Sequence, residues 1–180
     1  MRANYIIGFL FLIILAPLQA ATPLVDVDWL MVNLNKPNLI VLDLQPKATY
    51  QRFHITRAVN SDYSEWRKPD VKKTPGMIPS ISALEQLIGG LGIDNETQVI
   101  LVVTGRGASE MASATRVYWT FKALGHDKVS ILDGGLIAYG EARKNPIESN
   151  INTPDRKTFK ANPRPDYLVT ADEIKGLLGT

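Results

Sequence analysis

The sequence contains no cysteine, and this absence excludes several kinds of chemistry. Without a thiol, the 180 residues cannot form a disulfide, a thiolate metal site or a cysteine nucleophile. An excess of one charge is also lacking, because 20 Lys and Arg stand against 18 Asp and Glu. This balance gives no sign of nucleic-acid binding, and we expect no cofactor and no bound metal. The hydrophobic fraction of 45% is typical of a globular domain.

A ten-residue hydrophobic stretch, residues 6–15, lies near the N-terminus. Arg2 precedes it, Pro17 interrupts it, and Ala20 and Ala21 supply small residues for cleavage. This pattern predicts a secretory signal peptide over residues 1–20. An uncleaved membrane anchor is the alternative, but so short a stretch is insufficient to span a bilayer stably. We therefore expect the mature protein to be periplasmic or secreted, with no membrane contact after cleavage.

We expect the exported protein to begin at or near Ala21, because signal peptidases cleave after small residues such as Ala20. N-terminal sequencing of the exported protein tests this expectation. Recovery of the chain from a membrane fraction with Met1 intact would contradict the signal peptide and favour the anchor.

The chain is organised around residues 99–116, which read VILVVTGRGASEMASATR. Five consecutive apolar residues at 99–103 predict a strand that is buried on both faces, as in parallel sheets. A glycine-rich turn and a helix over residues 109–124 are expected to follow. Bare N–H groups at such a turn and helix N-terminus are suited to binding an anion. The candidate anion-binding loop comprises Gly105, Arg106, Gly107, Ala108 and Ser109, although an ordinary tight turn uses glycine in the same way.

Two side chains near this loop allow two interpretations each. Ser109 is a nucleophile in principle, but neither of the two histidines is placed beside it by the sequence. The N-cap of the following helix is therefore the favoured role for Ser109. Asp43 ends the buried strand predicted over residues 39–44 and is either a site residue or an acceptor for N–H groups of a neighbouring loop. We favour the acceptor role.

The order of predicted strands and helices indicates an α/β domain over residues 24–146, with a parallel central sheet and helices on both faces. Ser82 and Glu85 form a predicted capping box at the start of one helix. Residues 147–166 contain several prolines among polar residues and are predicted to be an extended, semi-rigid linker. We expect residues after about 150 to be loosely held.

Residues 167–180 repeat the start of the domain. Leu168 and Val169 follow Leu24 and Val25 at a distance of 144 residues, and several later positions match at the same offset. Thr170 opens a second capping box. The repeat predicts that residues 167–180 begin a truncated second copy of the domain.

Three motifs resemble the rhodanese family of sulfurtransferases, specifically the N-terminal domain of its two-domain members. They are LIVLDLQPKATYQRFHITRAVN at 39–60, RVYWTFKALGH at 116–126 and VSILDGG at 129–135. The resemblance implies supporting positions for Asp43 and Arg116. Two residues depart from the family pattern, since Gln45 and Arg57 stand where an Arg and a Gly are usual.

The resemblance also implies that the catalytic cysteine of the family would stand at Thr104, or at most at its neighbour Gly105, so no residue of this chain is assigned a catalytic role. Transfer in the family proceeds through a persulfide on a thiolate. A hydroxyl cannot replace the thiol, because it ionises far less easily and an oxygen–sulfur adduct would not store and release sulfane sulfur. The leading hypothesis is therefore the non-catalytic half of an exported thiosulfate sulfurtransferase, with a second rhodanese domain as partner. The alternatives are a stand-alone module that binds a small sulfur oxyanion and a purely structural or interaction module. The reading frame beyond residue 180 would discriminate among them.

Overall fold

The computed structural model describes residues 21–69, 72–142 and 144–178. The predicted signal peptide therefore lies outside the described residues. Five strands form one parallel sheet in the order β1-β6-β5-β2-β4, and β3 and β7 form a short antiparallel pair. The strands are β1 (Leu24–Val25), β2 (Leu39–Asp43), β3 (His54–Ile55), β4 (Val59–Asn60), β5 (Gln98–Val102), β6 (Val129–Leu132) and β7 (Ile147–Glu148).

The helices cover both faces of the sheet, which confirms the predicted fold class. They are α1 (Val27–Asn33), α2 (Lys47–Tyr50), α3 (Ile81–Gly90), α4 (Ala108–Ala123), α5 (Gly135–Glu141) and α6 (Ala171–Leu178), with 3-10 turns at Tyr63–Trp66 and Pro165–Tyr167. Helices α3 and α4 pack on one face, whereas α1, α2 and α5 pack on the other. In the part of the chain that the structure describes, no helix is long and apolar enough to cross a membrane.

Strand β5 lies at the centre of the sheet, between β2 and β6. Val99 and Leu101 point to the α3/α4 side, and Ile100 and Val102 point to the α1/α5 side. All four side chains are fully buried, because successive residues of a strand face opposite sides and both sides are covered. The continuous apolar run thus reflects the central position of the strand.

Two helices begin earlier than the sequence predicts. Helix α3 has Ser80 as its N-cap, whose hydroxyl accepts the N–H of Ala83, so the predicted capping box at Ser82 is wrong. Helix α4 has Gly107 as its N-cap, so Ser109 lies inside the helix and does not cap it. The backbone of Gly107 is extended, and this N-cap lies two residues before the predicted one.

Residues 152–164, here called the strap, are extended but are not loosely held. The N–H groups of Lys157, Asn162 and Arg164 donate to backbone carbonyls in α3 and at the end of α4. Phe159 is only 3% exposed and packs edge-on against Phe121. The expectation that the chain is loose after about 150 is therefore wrong as far as Arg164, because the strap completes the core that α3 and α4 begin.

One glycine shows how closely the strap approaches the domain. Gly125 ends the last turn after α4 with a φ of +82°, and a Cβ atom built there would lie 2.3 Å from the carbonyl oxygen of Asn162. Only glycine fits this left-handed position without moving the strap. Gly125 therefore has two roles: it marks the end of α4 in the sequence, and it leaves room for the strap to pack against that end.

Helix α6 differs from the strap because its side chains are largely solvent-exposed. The predicted capping box at its start is confirmed, since the Thr170 hydroxyl accepts the Glu173 N–H and the Glu173 carboxylate accepts the Thr170 N–H. Leu177 and Leu178 are 75% and 80% exposed. The structure thus gives α6 an apolar face that this domain does not cover.

We expect limited proteolysis with chymotrypsin to cut first at Tyr167 or Leu168, because these residues follow the docked strap and are partly or largely exposed. The stable fragment should retain Phe159 and Arg164, which intact-mass measurement will show. Early cleavage within residues 147–164 would contradict the docked strap.

Candidate functional site

A cavity of about 290 Å³ lies at the carboxyl ends of β2 and β5, where ligand sites of parallel α/β sheets are found. Strand ends, the 3-10 turn and the first turns of α4 all contribute to its wall. The lining residues are Leu44, Gln45, Pro46, Asp62, Tyr63, Ser64, Arg67, Val103, Thr104, Glu110 and Ser113. The fold thus brings Thr104, predicted from the sequence, together with Gln45 and Glu110, which the sequence did not identify as site residues.

A buried hydrogen-bond network holds Thr104 at the wall of the cavity. The Thr104 hydroxyl donates to Gln45 Oε1 at 3.2 Å, and Gln45 Nε2 donates to Asp43 Oδ2 at 2.9 Å. The backbone N–H of Gln45 donates to the other carboxylate oxygen of Asp43 at 2.9 Å. The polar groups at the ends of β2 and β5 are thereby satisfied by one another.

Asp43 is completely buried beneath this network. Burial raises the pKa of its carboxyl group, while the hydrogen bonds from the Gln45 backbone and side chain act in the opposite direction. The Asn60 amide donates to the backbone oxygens of Asp43 and Gln45, which fixes the adjoining turn. Asp43 therefore accepts from the N–H of its own following turn and positions Gln45, and it does not line the cavity.

The loop at the start of α4 already holds an anion from its own helix. The N–H groups of Gly105 and Arg106 donate to Glu110 Oε2 at 2.7 and 2.9 Å. The expectation that this loop presents bare N–H groups is therefore wrong for these two residues. The physical reason is that a carboxylate in the first turn of a helix is attracted to unpaired N–H groups and to the helix dipole.

The loop is fixed from behind by the turn after β6. Gly105 has a φ of +91°, and a Cβ atom there would lie 2.3 Å from the carbonyl oxygen of Gly134. The N–H groups of Leu136 and Ile137 donate to the carbonyl oxygens of Val103 and Thr104. The LDGG motif thus lets α5 begin directly against the end of β5.

Arg116 does not belong to this site. It lies in the middle of α4, its guanidinium donates to the carbonyl oxygen of Gly76 at 3.2 Å, and it stacks over the Trp119 ring. The contacts of the predicted supporting residue Arg116 are thus with Gly76 and Trp119. Helical geometry carries Arg116 away from Gly105 and toward the segment that precedes α3.

Arg67 and Tyr63 form the outer wall of the cavity. The Arg67 guanidinium lies 4.6 Å from the centre of the Tyr63 ring, and Arg67 is exposed to solvent. The indole of Trp66 is fully buried and donates to the Ser61 hydroxyl, which anchors this turn to the core.

The sequence contained a signal that could have identified Glu110 as a site residue, because it is an acidic residue in the first helical turn after a glycine-rich loop.

Comparison with known proteins identifies relatives of this domain. The family described as "Rhodanese-like domain" matches residues 26–142. Thiosulfate/3-mercaptopyruvate sulfurtransferase 2 of Arabidopsis thaliana is 36% identical, and the match covers 89% of this chain and 54% of that protein. The mitochondrial sulfurtransferase 1 of the same plant is 39% identical over 66% of this chain and 32% of its own length. The chain therefore spans about half or less of the length of these relatives.

Solved structures show the same fold. The crystal structure of SseA from Escherichia coli, described as a 3-mercaptopyruvate sulfotransferase with the rhodanese fold, superposes with a TM-score of 0.76 at 24% identity. The superposition covers 88% of this chain and 62% of that protein. This coverage is longer than the family match at residues 26–142, so the superposition extends beyond that range.

Proposed function

This chain belongs to the rhodanese-like domain family, and from this premise we propose that it is the non-catalytic domain of an exported thiosulfate sulfurtransferase. In this proposal the domain supports a second rhodanese-like domain that carries the reactive cysteine. The thiolate of that cysteine attacks the outer sulfur of thiosulfate, forms a persulfide and releases sulfite. The outer sulfur then passes to a thiophilic acceptor, which restores the thiolate. The relatives named as thiosulfate sulfurtransferases support this substrate class.

The observation that carries the proposal is a threonine where the loop leaves β5. Thr104 donates to Gln45, and no cysteine exists anywhere in the sequence. A thiol ionises far more easily than a hydroxyl, and its sulfur forms a persulfide that can be released to an acceptor. An alcohol oxygen provides neither property, so the covalent step needs a residue from elsewhere.

Helix α6 supports the presence of a partner domain. Its sequence repeats α1 at an offset of 144 residues. In α1, Leu30 is completely buried, whereas its counterpart Ile174 is 43% exposed. Val25 pairs with β6, while the matching Val169 is exposed. These differences are expected if residues 167–178 belong to the core of a second domain.

Export is proposed on the hydrophobic residues 6–15 and the small residues that follow them. Of the other functions considered, the oxyanion-binding module is disfavoured because the Glu110 carboxylate occupies the N–H groups of Gly105 and Arg106.

Hydrogen exchange tests the two-domain arrangement. We expect the amides of Ile174, Leu177 and Leu178 to exchange rapidly in this chain and to become protected when a cysteine-bearing rhodanese-like domain that lacks its own first helix is joined after Thr180, so that α6 takes the place of that helix. The amide of Leu101 serves as a control, because β5 is buried in either case. Equal, rapid exchange of α6 in both proteins would contradict the proposal.

A further inference from the structure

We propose that Glu110 determines which ligands the cavity at the ends of β2 and β5 admits, and that its carboxylate closes this cavity to small oxyanions. The inference goes beyond the proposed function, because it concerns this chain alone and holds whether or not a second domain is joined. It predicts that a variant without the Glu110 charge gains affinity for sulfate and thiosulfate.

Geometry provides the first argument. Glu110 Oε2 receives two N–H donors at 2.7 and 2.9 Å, both within the range of strong, charge-assisted hydrogen bonds. The donors come from Gly105 and Arg106, immediately after Thr104 at the wall of the cavity. One oxygen of a tethered carboxylate thus occupies the position that an oxygen of a free oxyanion would need.

Tethering provides the second argument. A side chain on the same helix competes at a high effective concentration, and it loses no translational freedom when it binds. A free anion must displace the Glu110 carboxylate from the two N–H groups. It must then bind beside that carboxylate, whose negative charge no longer has hydrogen-bond donors. The cost of unpairing a partly buried carboxylate therefore adds to the cost of binding.

Charge within the cavity provides the third argument. Two carboxylates, Asp62 and Glu110, and one guanidinium, Arg67, line it. Asp62 accepts the N–H of Ser64, and the Arg67 guanidinium lies over the Tyr63 ring. Removal of the Glu110 carboxylate leaves one negative and one positive side chain in the cavity lining, so that their charges balance. It also frees the two N–H donors of Gly105 and Arg106.

The loop should keep its shape when Glu110 is replaced. Gly105 is held against Gly134, and the carbonyl oxygens of Val103 and Thr104 accept from the first turn of α5. These contacts do not involve Glu110. The variant loop is therefore expected to present its freed N–H groups in nearly the native positions.

The test is a titration of isotope-labelled protein with sodium sulfate and sodium thiosulfate, followed through the amide signals of Gly105 and Arg106 at constant ionic strength. We expect no saturable change in the native chain. Glu110→Ala, which frees both N–H groups, is expected to show saturable shifts with affinity at least about tenfold above the native limit. Glu110→Gln, which removes the charge but keeps an acceptor oxygen, is expected to show a smaller saturable gain. Glu96→Gln, which removes the same charge at the amino end of β5, should behave as the native chain does.

Protected Leu136 and Ile137 amides will show that the loop is intact in each variant, since these groups donate to the end of β5. Should Glu110→Ala lose this protection, Glu110→Gln carries the test, because it keeps the side-chain length. Saturable binding by the native chain at Gly105 and Arg106 would overturn the proposal. Failure of an intact variant to bind either anion would overturn it as well.

Discussion

The Thr104→Cys variant is expected to remain on the order of a hundredfold or more slower in thiosulfate-to-cyanide transfer than a two-domain protein with a cysteine-bearing loop. The native chain should show no transfer at all. A helix N-terminus normally favours a thiolate, but here the N–H groups of Gly105 and Arg106 point to Glu110. A new thiol would therefore lack these donors and would lie close to a carboxylate.

Steady-state thiocyanate formation measures this result, with Thr115→Cys as a matched variant that places a thiol on the exposed side of α4. The double variant Thr104→Cys with Glu110→Ala should transfer sulfur faster than Thr104→Cys, because it frees the two N–H groups. Turnover by Thr104→Cys at the two-domain rate would show that the loop is already shaped for catalysis. Turnover by the native chain would refute the non-catalytic assignment.

The Phe159→Ala variant is expected to lose about 3–5 kcal/mol of unfolding free energy, as is usual for a buried phenylalanine. Phe159 lies far beyond the predicted domain end, yet it is 3% exposed and packs with Phe121 and His126 in the core beneath α3 and α4. Its removal would leave a cavity that the strap can fill only by shifting against Gly125 and its neighbours. The strap should then detach more readily.

Chemical denaturation followed by tryptophan fluorescence measures this loss, since Trp66 lies in the same core. Phe53→Ala is the matched control, because Phe53 is 37% exposed and should cost much less. A similar small loss for both variants would mean that the strap does not contribute to the core. Removal of the strap by truncation, with no fall in the unfolding free energy, would lead to the same conclusion.

Much of the fold could be predicted from local pattern. The unbroken apolar run of β5 indicates a strand covered on both faces, and Asp26 caps α1 as its position suggests, accepting the N–H of Trp29. These features depend on residues close together in sequence. The motifs around Asp43 and Gly134 added the resemblance to the family, which the family match over residues 26–142 confirms.

What could not be predicted depends on contacts between distant parts of the chain. Prolines and polar residues mark 147–166 as extended, but only the assembled core shows that Phe159 fits beside Phe121. Likewise, the role of Gln45 becomes visible only when β5 brings Thr104 within 3.2 Å of it. Arg57 is instructive, because its φ of 68° explains why glycine is usual at this position in the family.

Glu110 is an intermediate case. The acidic residue, the glycine-rich loop and the helix start are all within six residues, and helix electrostatics favours their contact. The sequence nevertheless leaves the direction of its side chain open. In the structure the carboxylate turns back to the loop and changes the interpretation of the site from an open anion cradle to an occupied one.

The central claim is that this domain supports catalysis by a second domain without taking part in the covalent step. The most direct measurement compares thiosulfate-to-cyanide turnover of a cysteine-bearing rhodanese-like domain from a two-domain relative, alone with its own first helix and joined after Thr180 of this chain with α6 in place of that helix. We predict that the isolated domain turns over slowly and that the joined protein is at least about tenfold faster, by the advantage of a preorganised site. Equal turnover of the isolated and joined forms would contradict the account.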